Sequence, residues 1–150
     1  IAKISVEKSK RNLETIKTML TEFSHDEYIQ IIEGMKTITL IFDHKLIDKI
    51  HSEFPLKNIL EEKNNLVAII ITSPEKIIET PGCVALFYNA ISRRHINIEE
   101  TLSCSTETIL ILQLSDVGRA LTILTNLMAE ARKICGKTSE RNNLRVKSVV

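Results

Sequence analysis

The chain has 150 residues, 43% hydrophobic and 26% charged, with a formal net charge of +1 at pH 7. That length bounds it to one domain or two small ones, and the composition is that of an ordinary globular chain. The near-neutral charge excludes binding nucleic acid through an overall field, and apolar runs of about six residues fall far short of the roughly twenty that span a bilayer.

The first residue is Ile1 rather than Met, and no signal-peptide pattern follows it; the expectation is a piece of a longer, cytoplasmic protein. Cys83, Cys104 and Cys135 are odd in number and widely spaced. That spacing suits reduced thiols and supports neither a zinc site nor a disulfide framework.

In chain order, Ala2 to Val6 reads as a short strand. A helix follows, with Leu13, Ile16, Met19, Leu20 and Phe23 at helical spacing on one face and Ser9 or Asn12 as its cap. Tyr28 to Glu33 and Thr37 to Ile41 read as two strands, joined through Gly34 as a hairpin. His44 to Phe54 is a second helix with Leu46, Ile47, Ile50 and Phe54 as its buried stripe, ended by Pro55. Leu56 to Lys63 is the candidate closing strand.

Leu66 to Thr72 is a strand apolar enough to be buried on both faces. Ser73 to Thr80 reads as a loop. Thr80 suits a helix N-cap, Pro81 the first helical position, and Gly82 a tight turn that brings backbone close to a ligand. Val84, Phe87, Ala90 and Ile91 line the helix, and Arg93, Arg94 and His95 complement the dipole at its end. Ile98 to Cys104 and Thr108 to Leu112 are the next strands. Ser115 caps a long helix carrying Val117, Ala120, Leu121, Leu124 and Met128, with Gly136 as its stop. Leu144 to Val150 alternates and reads as a last strand.

The chain repeats itself. Thr37-Ile38-Thr39-Leu40-Ile41 aligns with Thr108-Ile109-Leu110-Ile111-Leu112, an offset of 71 positions between Thr37 and Thr108. Each half then reads β-α-β-β-α-β: an α+β, ferredoxin-like unit whose antiparallel sheet carries both helices on one face. The halves are taken as residues 1–63 and 64–150. A unit of this size has a small core, so pairing or dimerisation is expected to enlarge it.

The first-turn N–H groups of a helix lack internal partners and, with the dipole, form an anion site. The segment reads either as a place for a carboxylate over Gly82, Cys83 and Val84 or as a plain strand-to-helix turn capped by water. Strand, Thr80-Pro81-Gly82 loop, helix, His95-Ile96-Asn97-Ile98 turn, strand, strand, helix: this order resembles the ACT domain of amino-acid metabolism, closest in pattern to the aspartate kinase regulatory region. Asn97 with Ile98 matches the family's Ile-Asn-Ile turn, and Ser105-Thr106-Glu107 resembles its Ser-Glu hairpin. Thr80 stands where the family often has an acidic residue, and the loop before it is longer than usual.

The resemblance implies a non-catalytic regulatory module that senses an amino acid or similar small carboxylate at a domain or subunit interface. The ligand residues would be Thr80, Pro81, Gly82, Cys83, Val84, Asn97 and Ile98, with Asn97 placed at the same end of the sheet as the loop and Glu79 or Glu99 receiving an ammonium. It also implies no cofactor, a homodimer or higher assembly, and an attached or partner enzyme or DNA-binding domain. The first half has no Pro-Gly loop and reads as a degenerate copy supplying interface. The alternative is the oligomerisation part of a transcription regulator whose DNA-binding domain lies outside this chain.

Other chemistry finds little support. No Walker loop, Rossmann glycine run or His-Glu-x-x-His is present. His44, Asp48 and His51 share a helical face, as solvated residues commonly do. Glu99 and Glu100 are adjacent and point to opposite faces of a strand, so they cannot act as a carboxylate pair. The basic tail, Arg132, Lys133, Lys137, Arg141, Arg145 and Lys147 against Glu140, lacks interleaved aromatics and reads as a solvated surface.

Overall fold

The computed structural model describes residues 1–135 and 145–149. The chain divides into two compact units, Ile1–Leu66 and Val67–Val150. In the first, β1 (Ala2–Glu7) is followed by helix α1 (Lys10–Leu20), β2 (Ile29–Glu33), β3 (Thr37–Phe42), helix α2 (Ile47–Glu53) and β4 (Ile59–Lys63). The sheet order is β2-β3-β1-β4. All three neighbouring pairs run antiparallel. The second unit repeats this with β5 (Leu66–Thr72), helix α3 (Cys83–Ser92), β6 (Glu100–Cys104), β7 (Glu107–Gln113), helix α4 (Val117–Cys135) and β8 (Arg145–Val149). Its order is β6-β7-β5-β8. These are the two four-stranded α+β, ferredoxin-like sheets expected.

The first strand of each unit lies between two others because each strand-helix-strand crossover skips a position. Position and alternation together decide the core. In the first unit Ile4, Val6, Leu40 and Phe42 pack with Ile16, Met19, Ile50 and Phe54 of the helical layer. In the second, Val67, Ile69, Ile71, Leu110 and Leu112 pack with Phe87, Ile91, Ala120, Leu124 and Met128.

The repeat itself needs a correction. Lys8 N donates to Lys36 O, and Ser73 N donates to Thr106 O, each at 2.8 Å. These matching bonds pair Lys36 with Thr106, an offset of 70. Leu40 then matches Leu110 and Phe42 matches Leu112, all four in the helix-side cores. The offset of 71 pairs Leu40 with Ile111, which lies outside the helix-side cluster. A one-residue slip turns every side chain to the other face. The hairpins agree with the offset of 70: Glu33 pairs with Ile38 as Ser103 pairs with Thr108, and Gly34 N bonds Thr37 O across Met35-Lys36 where Cys104 pairs with Glu107 across Ser105-Thr106.

Element ends differ in small ways. Leu20, expected in the buried stripe, is 43% exposed. The helix ends there, and Met19 takes the inward place. Ser9 is the cap: its Oγ accepts from Asn12 N at 3.2 Å. His44–Leu46 and Leu56–Asn58 form 3₁₀ turns ahead of α2 and β4. Ser115 lies inside another, Leu114–Asp116, rather than capping α4. The stop at Gly136 and the tail residues Lys137, Glu140 and Arg141 lie outside the described residues.

Across the first unit, His51 Nε2 of α2 meets Glu62 Oε2 of β4 at 3.0 Å, and Asn64 Nδ2 donates to the other carboxylate oxygen, also at 3.0 Å. The Asn64 hydrogen bond, with the His51 bond and charge, holds the Glu62 carboxyl below its ordinary value of 4.5.

Two outcomes are expected. Phe54→Ala, deleting a ring that is 1% exposed, should cost about 3–5 kcal/mol, whereas Leu20→Ala should stay near about 0.5 kcal/mol; urea unfolding measures both. A carboxyl depressed by folding stabilises above its unfolded pKa and loses that stabilisation as pH falls through its folded pKa. Wild type should therefore melt above Glu62→Gln at neutral pH, and the gap should close as pH drops below 4.5. A pH-independent gap would show that Glu62 acts through packing alone.

Candidate functional site

The second unit's loop is built differently from its counterpart in the first. Only Lys8 and Ser9 separate β1 from α1. Ser9 caps the helix, Asn12 Nδ2 donates to Glu7 O at 2.7 Å, and Lys8 Nζ reaches Glu33 at 2.6 Å. The first-turn amide at Asn12 is thereby taken by the protein's own hydroxyl.

Between β5 and α3 the chain instead takes residues 73–82. The segment read as a plain loop contains a 3₁₀ turn, Glu75–Glu79. Thr80 ends that turn instead of capping the helix, its Oγ1 donating to Lys76 O at 2.6 Å. Pro81 lies before α3, outside it. Gly82 takes the N-cap place in the left-handed region, φ 85°, and supplies no side-chain cap. Its carbonyl accepts from Leu86 N at 3.0 Å and starts the helical ladder. The N–H groups of Cys83, Val84 and Ala85 precede that ladder and have no i−4 partner. A Cβ at Gly82 would meet nothing within 4 Å. Thr80, Pro81 and Gly82 are exposed, and Cys83 and Val84 are half-buried.

Asn97 and Ile98 lie elsewhere. α3 has 10 residues, which spans about 15 Å. The turn that carries them follows its far end, so the expectation that Asn97 shares the loop's end of the sheet is not met within one unit. The helix runs antiparallel to β5 and carries the chain back before β6 begins. There His95 turns left-handed, φ 56°. Ile96 is buried, Asn97 is exposed and Ile98 packs half-buried on the core. Ser92, His95, Ile96, Asn97 and Ile98 line a shallow open concavity of about 470 Å³.

Several contacts at that end escaped the sequence reading. Arg119 of α4 pairs with Asp116 at 3.0 Å and donates to the Arg94 carbonyl at 2.7 Å, tying the start of α4 to the end of α3. The Asp116–Arg119 spacing was the available signal. Glu99, one candidate for the ligand ammonium, accepts from Gln113 Nε2 at 3.1 Å. Glu79 is exposed on the 3₁₀ turn.

Among the described residues no cluster of His, Cys, Asp or Glu is arranged to hold a metal, and no helix is long and apolar enough to cross a membrane. Cys83 and Cys104 are free.

No protein-family profile matches the chain, and no curated protein matches it. Solved structures do. The ligand-free regulatory subunit of aspartate kinase from Thermus thermophilus is similar at TM-score 0.66 and 14% identity, over 83% of this chain and 91% of that one. Aspartate kinase from Clostridium acetobutylicum is similar at TM-score 0.65 and 18% identity, over 83% of this chain and 32% of that one. The aspartokinase alpha and beta subunits give TM-score 0.66 at 10% identity, over 84% and 86%. At such identities the likeness establishes the fold: two ACT-like units in tandem, as in the aspartate kinase regulatory region.

Gly82 sets the loop by its backbone conformation. Gly82→Ala should destabilise the protein by about 1 kcal/mol, since a side chain in the left-handed region is strained, and Gly82→Asn should cost less because Asn tolerates that region. Equal losses in urea unfolding would mean that the turn does not hold φ 85° in solution.

Proposed function

We propose that this chain is a non-catalytic regulatory module that binds an amino acid or similar small carboxylate. The observation that carries the reading is the start of α3. Its first-turn N–H groups have no side-chain cap, and the space beside Gly82 is open. A carboxylate suits these donors and the positive end of the helix dipole. The N–H groups of Gly82, Cys83 and Val84 hold it, with Thr80 and Pro81 forming the outer lip. The fold shared with proteins described as aspartate kinase regulatory subunits supports a regulatory role.

Asn97 and Ile98 stand about one helix length from the loop, so they serve the site from a second copy of the chain. Ligand binding then favours the associated form, and an attached or partner protein responds to the change. The strands β2 and β6 are sheet edges whose pairing with β3 and β7 is regular. β4 is an edge interrupted by a register shift opposite Ser5 and Val6, a feature that discourages pairing. β8 is a further edge and its pairing with β5 is regular as well. The dimer is therefore assigned to one of the regular edges, β2, β6 or β8, in a reducing cytoplasm suited to the free thiols of Cys83 and Cys104.

A thermal-shift screen with the standard amino acids and metabolic carboxylates tests the reading. A ligand at about 100 times its Kd should add roughly 2.7 kcal/mol to stability and shift the protein toward dimer in light scattering. Gly82→Asn, which keeps the turn and places a side chain over the loop, should abolish calorimetric binding. Unchanged binding by that variant would move the site elsewhere. No stabilisation by any compound at millimolar concentration would leave a module that binds only other proteins.

A further inference from the structure

Among the described residues, two buried side-chain polar atoms have no hydrogen-bond partner, Tyr28 Oη and Ser73 Oγ. Ser73 is only 5% exposed. A buried hydroxyl without a partner is rare in folded proteins and calls for a cause. Its backbone offers none, because Ser73 N donates to Thr106 O at 2.8 Å and is fully engaged.

That backbone bond fixes where the hydroxyl lies. It carries the sheet pairing one step past Thr72, the last residue of β5. Val67, Ile69 and Ile71 all face the helical layer, so alternation places Ser73 on that same face. It stands at the C-terminal end of β5, from which the chain passes to the uncapped start of α3. A hydroxyl and a set of free amides thus gather at one end of one face. Each of these groups can donate, and the helix N-terminus adds positive potential. The complement of several donors is an acceptor with more than one lone pair, and a carboxylate has two such oxygens.

We propose that Ser73 is a specificity-determining contact of this site, donating its hydroxyl to the ligand carboxylate that the first-turn amides of α3 hold. The inference rests on the ligand reading given above and adds a residue and a direction of hydrogen bonding to it. Because Ser73 Oγ is buried, access for a ligand needs a movement, which we assign to the segment 75–80. The bonds Ile77 N to Pro74 O, Thr80 N to Ile77 O, and Thr80 Oγ1 to Lys76 O are all made inside that stretch. These bonds make the stretch a self-contained piece, with the left-handed Gly82 at one end and Pro74 at the other.

The experiment uses the full chain as wild type, Ser73→Ala and Gly82→Asn, titrated calorimetrically with each standard amino acid, with acetate, and with the carboxamide of whichever amino acid binds most tightly. Ser73→Ala should weaken the amino acid by about tenfold or more, the usual loss of a hydrogen bond to a charged group. Its ligand-free melting temperature should hold or rise, because no bond is lost in the free protein. The carboxamide should bind wild type more weakly than the acid and should discriminate little between wild type and Ser73→Ala. If Ser73→Ala binds as wild type does while Gly82→Asn does not, the loop site stands and the role of Ser73 is overturned. A lowered ligand-free melting temperature with unchanged affinity would assign the hydroxyl to an ordered water and overturn it equally. If neither amino acids nor acetate bind wild type, both readings fall. Hydrogen exchange gives a test without variants: ligand should change the exchange of amides in residues 75–80, and an unaltered pattern counts against the proposal.

Discussion

The central antiparallel ladder of each unit is the constraint on which the rest depends. β1 lies between β3 and β4, and β5 between β7 and β8, so each is paired along both edges. Both strands are also largely buried along their length. Such a strand admits one register only, because a slip would carry Ile4 and Val6, or Ile69 and Ile71, out of the helix-side core. With the register set, the ends of these strands become fixed points. The loops leaving them, at Lys8 and at Ser73, are both tied to the neighbouring hairpin by the same backbone bond. Everything proposed about ligand binding occurs beyond the second of those points.

From these equivalent anchors the two units diverge. In the first, two residues suffice to enter the helix, and the side chains of Ser9, Asn12 and Lys8 satisfy the local donors and acceptors. That solution is stable and closed: an arriving carboxylate would have to displace a hydroxyl already bonded to the Asn12 amide. In the second, a longer connection ends in a residue without a side chain, which leaves the helix start to solvent. A cap typically adds about 1 kcal/mol to helix stability, and α3 goes without one. An uncapped helix start is a small local cost that a bound anion can offset, and a ligand that offsets it stabilises the folded module.

Much of the fold was legible because amphipathic period and turn chemistry agreed, as in the stripe Leu46, Ile50 and Phe54 or the alternation around Leu110 and Leu112. The misreadings have a common origin in backbone geometry. Thr80 is a good capping residue by type, yet a left-handed Gly82 two residues on takes over the cap position and leaves Thr80 bonded backward to Lys76. The true equivalence of the repeat is one residue away from the offset of 71, because two Thr-Ile runs look alike while equivalence is set by which residues, such as Leu40 and Leu110, face the helical layer. Asn97 was placed at the wrong end of the sheet for a third reason. Loop and turn belong to one motif in the sequence, but a helix of 10 residues keeps them apart. Ser73 carried no signal at all, since an unremarkable serine after a strand becomes informative only once its burial is known.

The separation of loop and turn bears on how a signal would leave the module. If one unit contained every ligand contact, binding would stabilise that unit and report to nothing else. A carboxylate held at the start of α3, with its remaining groups read by Asn97 of another copy, makes occupancy and association a single linked equilibrium. Linkage is reciprocal: whatever favours association must raise ligand affinity by the same factor by which ligand favours association. In the proposed arrangement the closed loop of the first unit would sharpen this, because a chain with one open loop would contribute one binding event to the assembly, and the coupling would not be diluted by a second site of different affinity. A ligand with equal affinity for the separate and associated chains would shift nothing. Under the proposed arrangement, the splitting of the contacts between two ends of α3 is what would give the two states different affinities.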